Sequence, residues 1–175
     1  MTNRLFKLAL AVIAVLAGGA ALAQNYPTKT IRIVVPFAPG GNVDINARAI
    51  APGLSELLGQ SVVVDNRGGA GGMIGAELVA KSAPDGYTLM MASNSVYSVA
   101  PSVYSKPLYH PIRDFTAISA LTSVPFVLVI HPSVPAKTFR EFVAIVKSQP
   151  GKMTLANAGF GTSNHLVGEL MQIQL

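Results

Sequence analysis

Short apolar runs alternate with amphipathic stretches over residues 31–92, and that alternation predicts strand, helix, strand, helix, strand. Ile31-Arg32-Ile33-Val34-Val35 is a compact β-branched run ended by Pro36. Such side chains pack well on a pleated surface, so the run predicts a buried strand. From Val43 to Leu58 the apolar positions Val43, Ala47, Ile50, Leu54 and Leu57 form a helical stripe. Asn42 is a candidate N-cap and Gly59 a candidate C-terminal stop. Pro52 lies inside the stripe, where it removes a backbone donor and crowds the carbonyl of Arg48; a kink or an early break is expected there. Val62-Val63-Val64 centres a second strand over residues 61–65, Met73 to Lys81 predicts a helix, and Tyr87 to Ala92 a third strand after the turn Pro84-Asp85-Gly86. This order implies parallel βαβ units. Near-continuous apolar strands agree, because helices cover both faces of a parallel sheet.

The pattern then loosens. Residues 93–114 read as turns and prolines, and Phe115 to Ile130 as one long extended run interrupted by Pro125. Thr138 to Ser148 has helical spacing at Phe139, Phe142, Val143 and Val146 and is stopped by Pro150-Gly151. Met153 to Ala156 predicts a short strand, and His165 to Leu175 a helix that ends without a capping glycine or a closing turn, as a fragment would.

Ahead of all this, Arg4 and Lys7 precede the apolar run Leu8 to Ala17, and Ala21-Leu22-Ala23 fits an A-x-A cleavage pattern. These are the three parts of a secretory signal peptide, so residues 1–23 are expected to be removed and the mature chain to begin at Gln24. The apolar segment is shorter than the roughly 20 residues of a membrane-spanning helix, and Gly18-Gly19 weakens it further.

Composition narrows the chemistry. Loss of Arg4 and Lys7 with the leader lowers the formal charge from +5 to +3, and no basic cluster stands out, which argues against nucleic acid. The chain has no cysteine, so disulfides and thiolate chemistry are excluded. His110, His131 and His165 lack metal-ligand spacing. Neither a metal nor a cofactor is expected.

Three loops share one design, each following a strand and leading toward a helix: Phe37 to Asn42, Ser93 to Ser95, and Gly159 to Ser163. Ligands of open parallel sheets bind beyond the carboxyl ends of the strands. Glycines there let backbone N–H groups approach a ligand, and the following helix start favours a carboxylate or phosphate. Ser93, Asn94, Thr162 and Ser163 add neutral hydrogen-bonding groups. An equally available reading makes these loops ordinary turns, with Thr162 or Ser163 capping a helix. The run Arg67-Gly68-Gly69-Ala70-Gly71-Gly72-Met73-Ile74-Gly75 fails both the dinucleotide and the Walker patterns and reads as a tight turn with close helix packing. No G-x-S-x-G elbow surrounds Ser163, and Asp44 in a first helical turn has a sufficient non-catalytic reason to be there.

Taken in order, Tyr26-Pro27, Ile31 to Phe37, Pro39-Gly40-Gly41, Asp44, Leu58-Gly59-Gln60, Asn66-Arg67, Gly69 to Gly72, Gly75, Pro84 to Leu89, Asp114-Phe115, His131-Pro132-Ser133, Pro150-Gly151-Lys152, Gly161-Thr162-Ser163 and Gly168-Glu169-Leu170 resemble the Bug proteins. These are the substrate-binding proteins of tripartite tricarboxylate transporters, also called the TctC family. The resemblance implies a periplasmic binding protein of the Venus-flytrap type, α/β with parallel sheets and flanking helices, closing on a small carboxylate. It implies a monomer that meets membrane transporter subunits transiently, and no catalysis. Carried over, Phe37, Pro39, Gly40 and Gly41 line one side with Asp44 beside them, Ser93 and Asn94 add donors, and Gly161, Thr162 and Ser163 approach from a second domain. Residues 24–115 would form the first domain, 116–130 a hinge-crossing strand, and 131–175 the start of the second.

Two departures stand out. Val43 occupies a position where the family often has a hydroxyl residue, and the family's proteins are roughly twice this length. An incomplete flytrap is expected to show open sheet edges and to bind ligand poorly. The alternatives are an exported α/β hydrolase using Ser163 or Asp44, and a ligand-sensing partner of a membrane receptor.

Overall fold

The computed structural model describes residues 26–175; the expected signal peptide lies outside the described residues. Strand β1 (Ile31–Val35) is the centre of a three-stranded parallel sheet of order β2-β1-β3, with β2 at Val62–Asn66 and β3 at Thr88–Met90. Ile31 pairs with Val62 on one edge of β1 and Arg32 with Thr88 on the other. Ladder bonds continue past β3 at both ends, since Arg32 N–H donates to Tyr87 O and Met91 N–H to Val34 O. Among the described residues β2 and β3 each have one ladder partner, so both are the open edges the resemblance implies.

Alternation along β1 sends its side chains to two cores. Ile31, Ile33 and Val35 pack with Ala47 and Ala51 of helix α1 (Asn42–Leu58). Val34, fully buried, faces the other way. On that side Met73 and Ala76 of helix α2 (Met73–Ala80) meet Val96, Ala100 and Tyr109. Burying a strand on both faces is what its continuous apolar run required.

Five local expectations are corrected. Helix α1 runs through Pro52 without ending. Pro52 is exposed, so the Arg48 carbonyl left without its helical partner lies where water can reach it. Asn42 is the first helical residue, not the cap; Gly41 takes that position and the Asp44 side chain reaches back instead. Gly59 does end the helix, in the left-handed region at φ 64°. The stretch after β3 is not all turn: a π-helical turn at Ser95–Val99 runs into helix α3 (Ala100–Val103). Residues 153–156 form no strand, because no ladder partner lies beside them among the described residues. For the same reason residues 116–130 carry no strand, and Phe126 and Val129 stand exposed.

Helix α4 (Phe139–Ser148) begins at Thr138, whose Oγ1 accepts from Glu141 N–H, while Glu141 Oε2 accepts from Lys137 N–H. Helix α5 (Ser163–Gln174) begins at Thr162, whose Oγ1 accepts from His165 N–H. No helix among the described residues is long and apolar enough to cross a membrane.

The Tyr109 hydroxyl donates to the Val96 carbonyl inside the second core, and burial pushes its phenol up to about 12. Tyr109→Phe strands that carbonyl, so urea unfolding should show a loss of about 1–3 kcal/mol. The sign at high pH follows from the raised value. The contribution is whole below the unfolded-state value of 10.0 and falls as pH rises toward 12, so the wild-type and Tyr109→Phe chains should converge in stability above pH 10.

Candidate functional site

The carboxyl ends of β1 and β2 deliver two loops to the same edge of the sheet. Pro36 and Phe37 follow β1, and the glycine run 68–72 follows β2. Opposite them lie Ala158, Gly159 and Phe160, which lead into α5, and Tyr104 at the end of α3. Between these walls is an open cavity of about 680 Å³. Its lining is Phe37, Ala38, Gly68 to Gly72, Tyr104 and Ala158 to Phe160. Tyr104 ties two walls together: its hydroxyl donates to Phe160 O at 3.2 Å, and its ring meets the Phe160 ring edge-on at 5.3 Å.

The close approach depends on particular glycines. Gly71 has φ 64°, and a Cβ there would stand 2.7 Å from Phe160 O in the facing wall. A Cβ on Gly75 would meet Arg67 O at 2.7 Å and Pro36 Cα at 2.8 Å. The glycine run is therefore the tight turn with close helix packing read from the sequence, and it also walls the cavity.

The ten expected site residues fall into three places. Phe37 lines the cavity, whereas Pro39, Gly40 and Gly41 are exposed beside it and outside its lining. Ser93, Asn94, Gly161, Thr162 and Ser163 gather where the turn after β3 meets the start of α5. Ser163 N–H donates to Ser95 Oγ at 2.9 Å, the two serine hydroxyls lie 3.2 Å apart, and Asn94 Nδ2 donates to Ser163 Oγ at 3.4 Å. Thr162 is fully buried and donates to Gly159 O at 2.6 Å. Ser93 Oγ is buried without a partner. Gly161 has φ 77°, and a Cβ on it would run into the Tyr104 ring.

Asp44 is the third case. It is 2% exposed, and its carboxylate is fully engaged by neighbours of its own chain. It accepts from Arg48 Nε at 3.0 Å, from Gly40 N–H at 2.8 Å and from Asn66 Nδ2 at 2.9 Å. The Arg48 hydrogen bond first, then those of Gly40 and Asn66, hold its carboxyl down at about 2. This carboxylate fastens the loop after β1 to the helix that follows.

Sequence reasoning put Ser95 in a candidate loop without giving it a role, and passed over Tyr104 and the cavity role of Gly68 to Gly72. Ser95 sits one residue beyond the pair credited with binding, and its position at the start of a helical turn was the available signal. Tyr104 lay in a segment read as turns.

Solved structures identify the class. The fold matches Rpa4515 of R. palustris with adipate at TM-score 0.80 and 35% identity, over 84% of this chain and 49% of that one. It matches MatC of Rhodopseudomonas palustris with bound malate at TM-score 0.77 and 36% identity, over 84% and 51%. This is the α/β fold of periplasmic binding proteins. The profile of the "Tripartite tricarboxylate transporter family receptor" (TctC) covers residues 46–175, and the chain belongs to that family. Protein BugT of Bordetella pertussis is 39% identical over 171 residues, covering 94% of this chain and 52% of that protein. The chain thus spans about half the length of the relatives it matches.

Two outcomes follow from this geometry. Gly71→Ala forces a Cβ against a backbone carbonyl and into a disfavoured φ; a loss of about 1–3 kcal/mol is expected in thermal or urea unfolding. Asp44 has a lowered value, so its stabilising contribution is whole above the unfolded-state 3.8 and is lost as pH falls toward 2. Carbon-13 NMR titration should place its midpoint near 2, and Asp44→Asn should make the chain less stable at pH 6 but little different at pH 2.

Proposed function

We propose that the chain is the ligand-facing N-terminal part of a periplasmic solute receptor that captures a small carboxylate for a tripartite tricarboxylate-type transporter. One observation carries the reading: a cavity of about 680 Å³ at the carboxyl ends of parallel strands, walled by glycine-rich backbone and free of acidic or basic side chains. Pockets for small ligands span roughly 300–1,000 Å³. A carboxylate there would be held by backbone N–H groups of residues 68–72 and by the neutral hydroxyl cluster at the start of α5, where Ser95 Oγ and Thr162 Oγ1 already take the Ser163 and His165 N–H groups. The relatives solved with adipate and malate carry ligands of this class. The same reading includes export through the cleaved leader, a monomeric receptor, transient docking to membrane subunits, and a division into residues 24–115, a crossing at 116–130 and a second unit from 131.

A hydrolase is less supported. The hydrogen-bond partners of Ser163 Oγ are Asn94 and Ser95, neither of them a base, and Asp44 is committed to Arg48, Gly40 and Asn66.

Nitrogen-15 NMR titration of residues 24–175 with malate and adipate tests the proposal. The cavity is open on this chain, so binding should be weak, with a Kd of about 1 mM or higher. Shifts should saturate and concentrate on amides of residues 68–72 and 159–163. Equal shifts with a neutral diol, or shifts spread evenly over the surface, would overturn it.

A further inference from the structure

Asn66, the last residue of β2, makes hydrogen bonds in three directions. Its Nδ2 donates to Phe37 O at 3.2 Å and to Asp44 Oδ1 at 2.9 Å, and its Oδ1 accepts from Arg48 Nη2 at 3.0 Å. Arg48 in turn donates through Nε to both Asp44 oxygens, and Asp44 Oδ2 accepts from Gly40 N–H. The result is a closed ring of three side chains from β2 and two turns of α1. Its outward bonds grip both ends of the loop 37–40. One end of that loop, Phe37-Ala38, is cavity wall.

Phe37 packs against both cores, but beyond it the loop has little else to fix it. Ala38, Pro39, Gly40 and Gly41 are exposed, Gly40 sits at φ 82°, and a Cβ there would meet nothing. Packing therefore fixes the Phe37 end of the loop, and polar contacts hold the rest. Arg48 lies half in solvent, so its bond to Asp44 alone is open to competition from water. Asn66 is the member that joins the ring to the loop carbonyl and to the neighbouring strand at once.

We infer that Asn66 is a positioning residue: it touches no ligand but sets the shape of the loop 37–40, whose Phe37-Ala38 end is cleft wall, and through that wall the affinity for the carboxylate. The affinity part rests on the function proposed above; the wall part stands on the geometry alone. An amide is suited to the place because it donates to Phe37 O and Asp44 while accepting from Arg48. An aspartate would keep the shape, lose both donors and set a second carboxylate against Asp44.

Asn66→Asp and Asn66→Ala test the inference in the chain of residues 24–175. Removing bonds to a charged carboxylate should quicken water exchange at the Gly40 amide about tenfold. The Asp44 midpoint should move up from about 2 toward 3.8. Amides of Ile33 and Val34, in the fully paired strand, should keep their wild-type protection. In the malate titration, shifts at residues 68–72 should need several-fold more ligand. If Gly40 exchange is unchanged, the wall part is wrong. Should Gly40 and Ile33 lose protection together, or neither variant show a melting transition, the ring holds the whole fold rather than the wall, and the inference is likewise overturned. Absence of malate shifts in the wild-type chain removes the proposed function and the affinity part with it, while Gly40 exchange still decides the wall part.

Discussion

Strand β1 is paired along both edges and buried on both faces, and the positions of the other elements are measured from it. Ile33, Val34 and Val35 are almost inaccessible to solvent, so neither α1 nor α2 can shift without opening a core. The register with β2 and β3 fixes where each loop leaves the sheet. Because all three strands are parallel, the loops at their carboxyl ends emerge on one edge. The cavity lies there for that topological reason, before any side chain is considered.

Close backbone approach then makes the wall. Gly75 lets α2 settle on Pro36, and Gly71 lets the loop after β2 reach the Phe160 carbonyl. Each contact would be blocked by a single methyl group. Tyr104 completes the span by pairing its ring and hydroxyl with Phe160. Backbone surfaces so close together present N–H and C=O groups, not side chains, to whatever lies between them.

Periodicity made the sheet legible. Strand β1 and the two helices that flank it bury apolar faces, with β2 and β3 largely half-buried beside it, and burial is what a hydrophobic pattern records. Where elements are held by other means the pattern was silent. Helix α1 passes Pro52 because that residue faces solvent, a fact of placement that the sequence does not encode locally. Residues 153–156 look like a strand, but a strand needs a ladder partner, and propensity cannot supply one. The glycine loops were found by composition, yet their division into wall, rim and buried hub was not. Pro39 and Gly41 sit in the same motif as Phe37, and only the path of the chain separates them. Asp44 was placed at the correct helix start, and its commitment to Arg48 and Asn66 arises from residues 4 and 22 positions away.

That commitment bears on how an anion could be held here. The start of α1 is a positive helix end, and a carboxylate ligand would be drawn to it. Asp44 already occupies it, takes the Gly40 N–H and neutralises Arg48. The first helix is therefore spent on fixing its own loop, and a free anion gains little there. The start of α5 differs in charge: among the described residues no acid lies in its first turn, and its Ser163 and His165 N–H groups are taken by the neutral hydroxyls of Ser95 and Thr162. With no acidic or basic side chain in the cavity lining, attraction for a carboxylate has to come from backbone dipoles. On the function proposed for this chain, dipoles of that kind would hold a carboxylate without an ion pair that has to be broken for release, which suits a receptor that hands its ligand on.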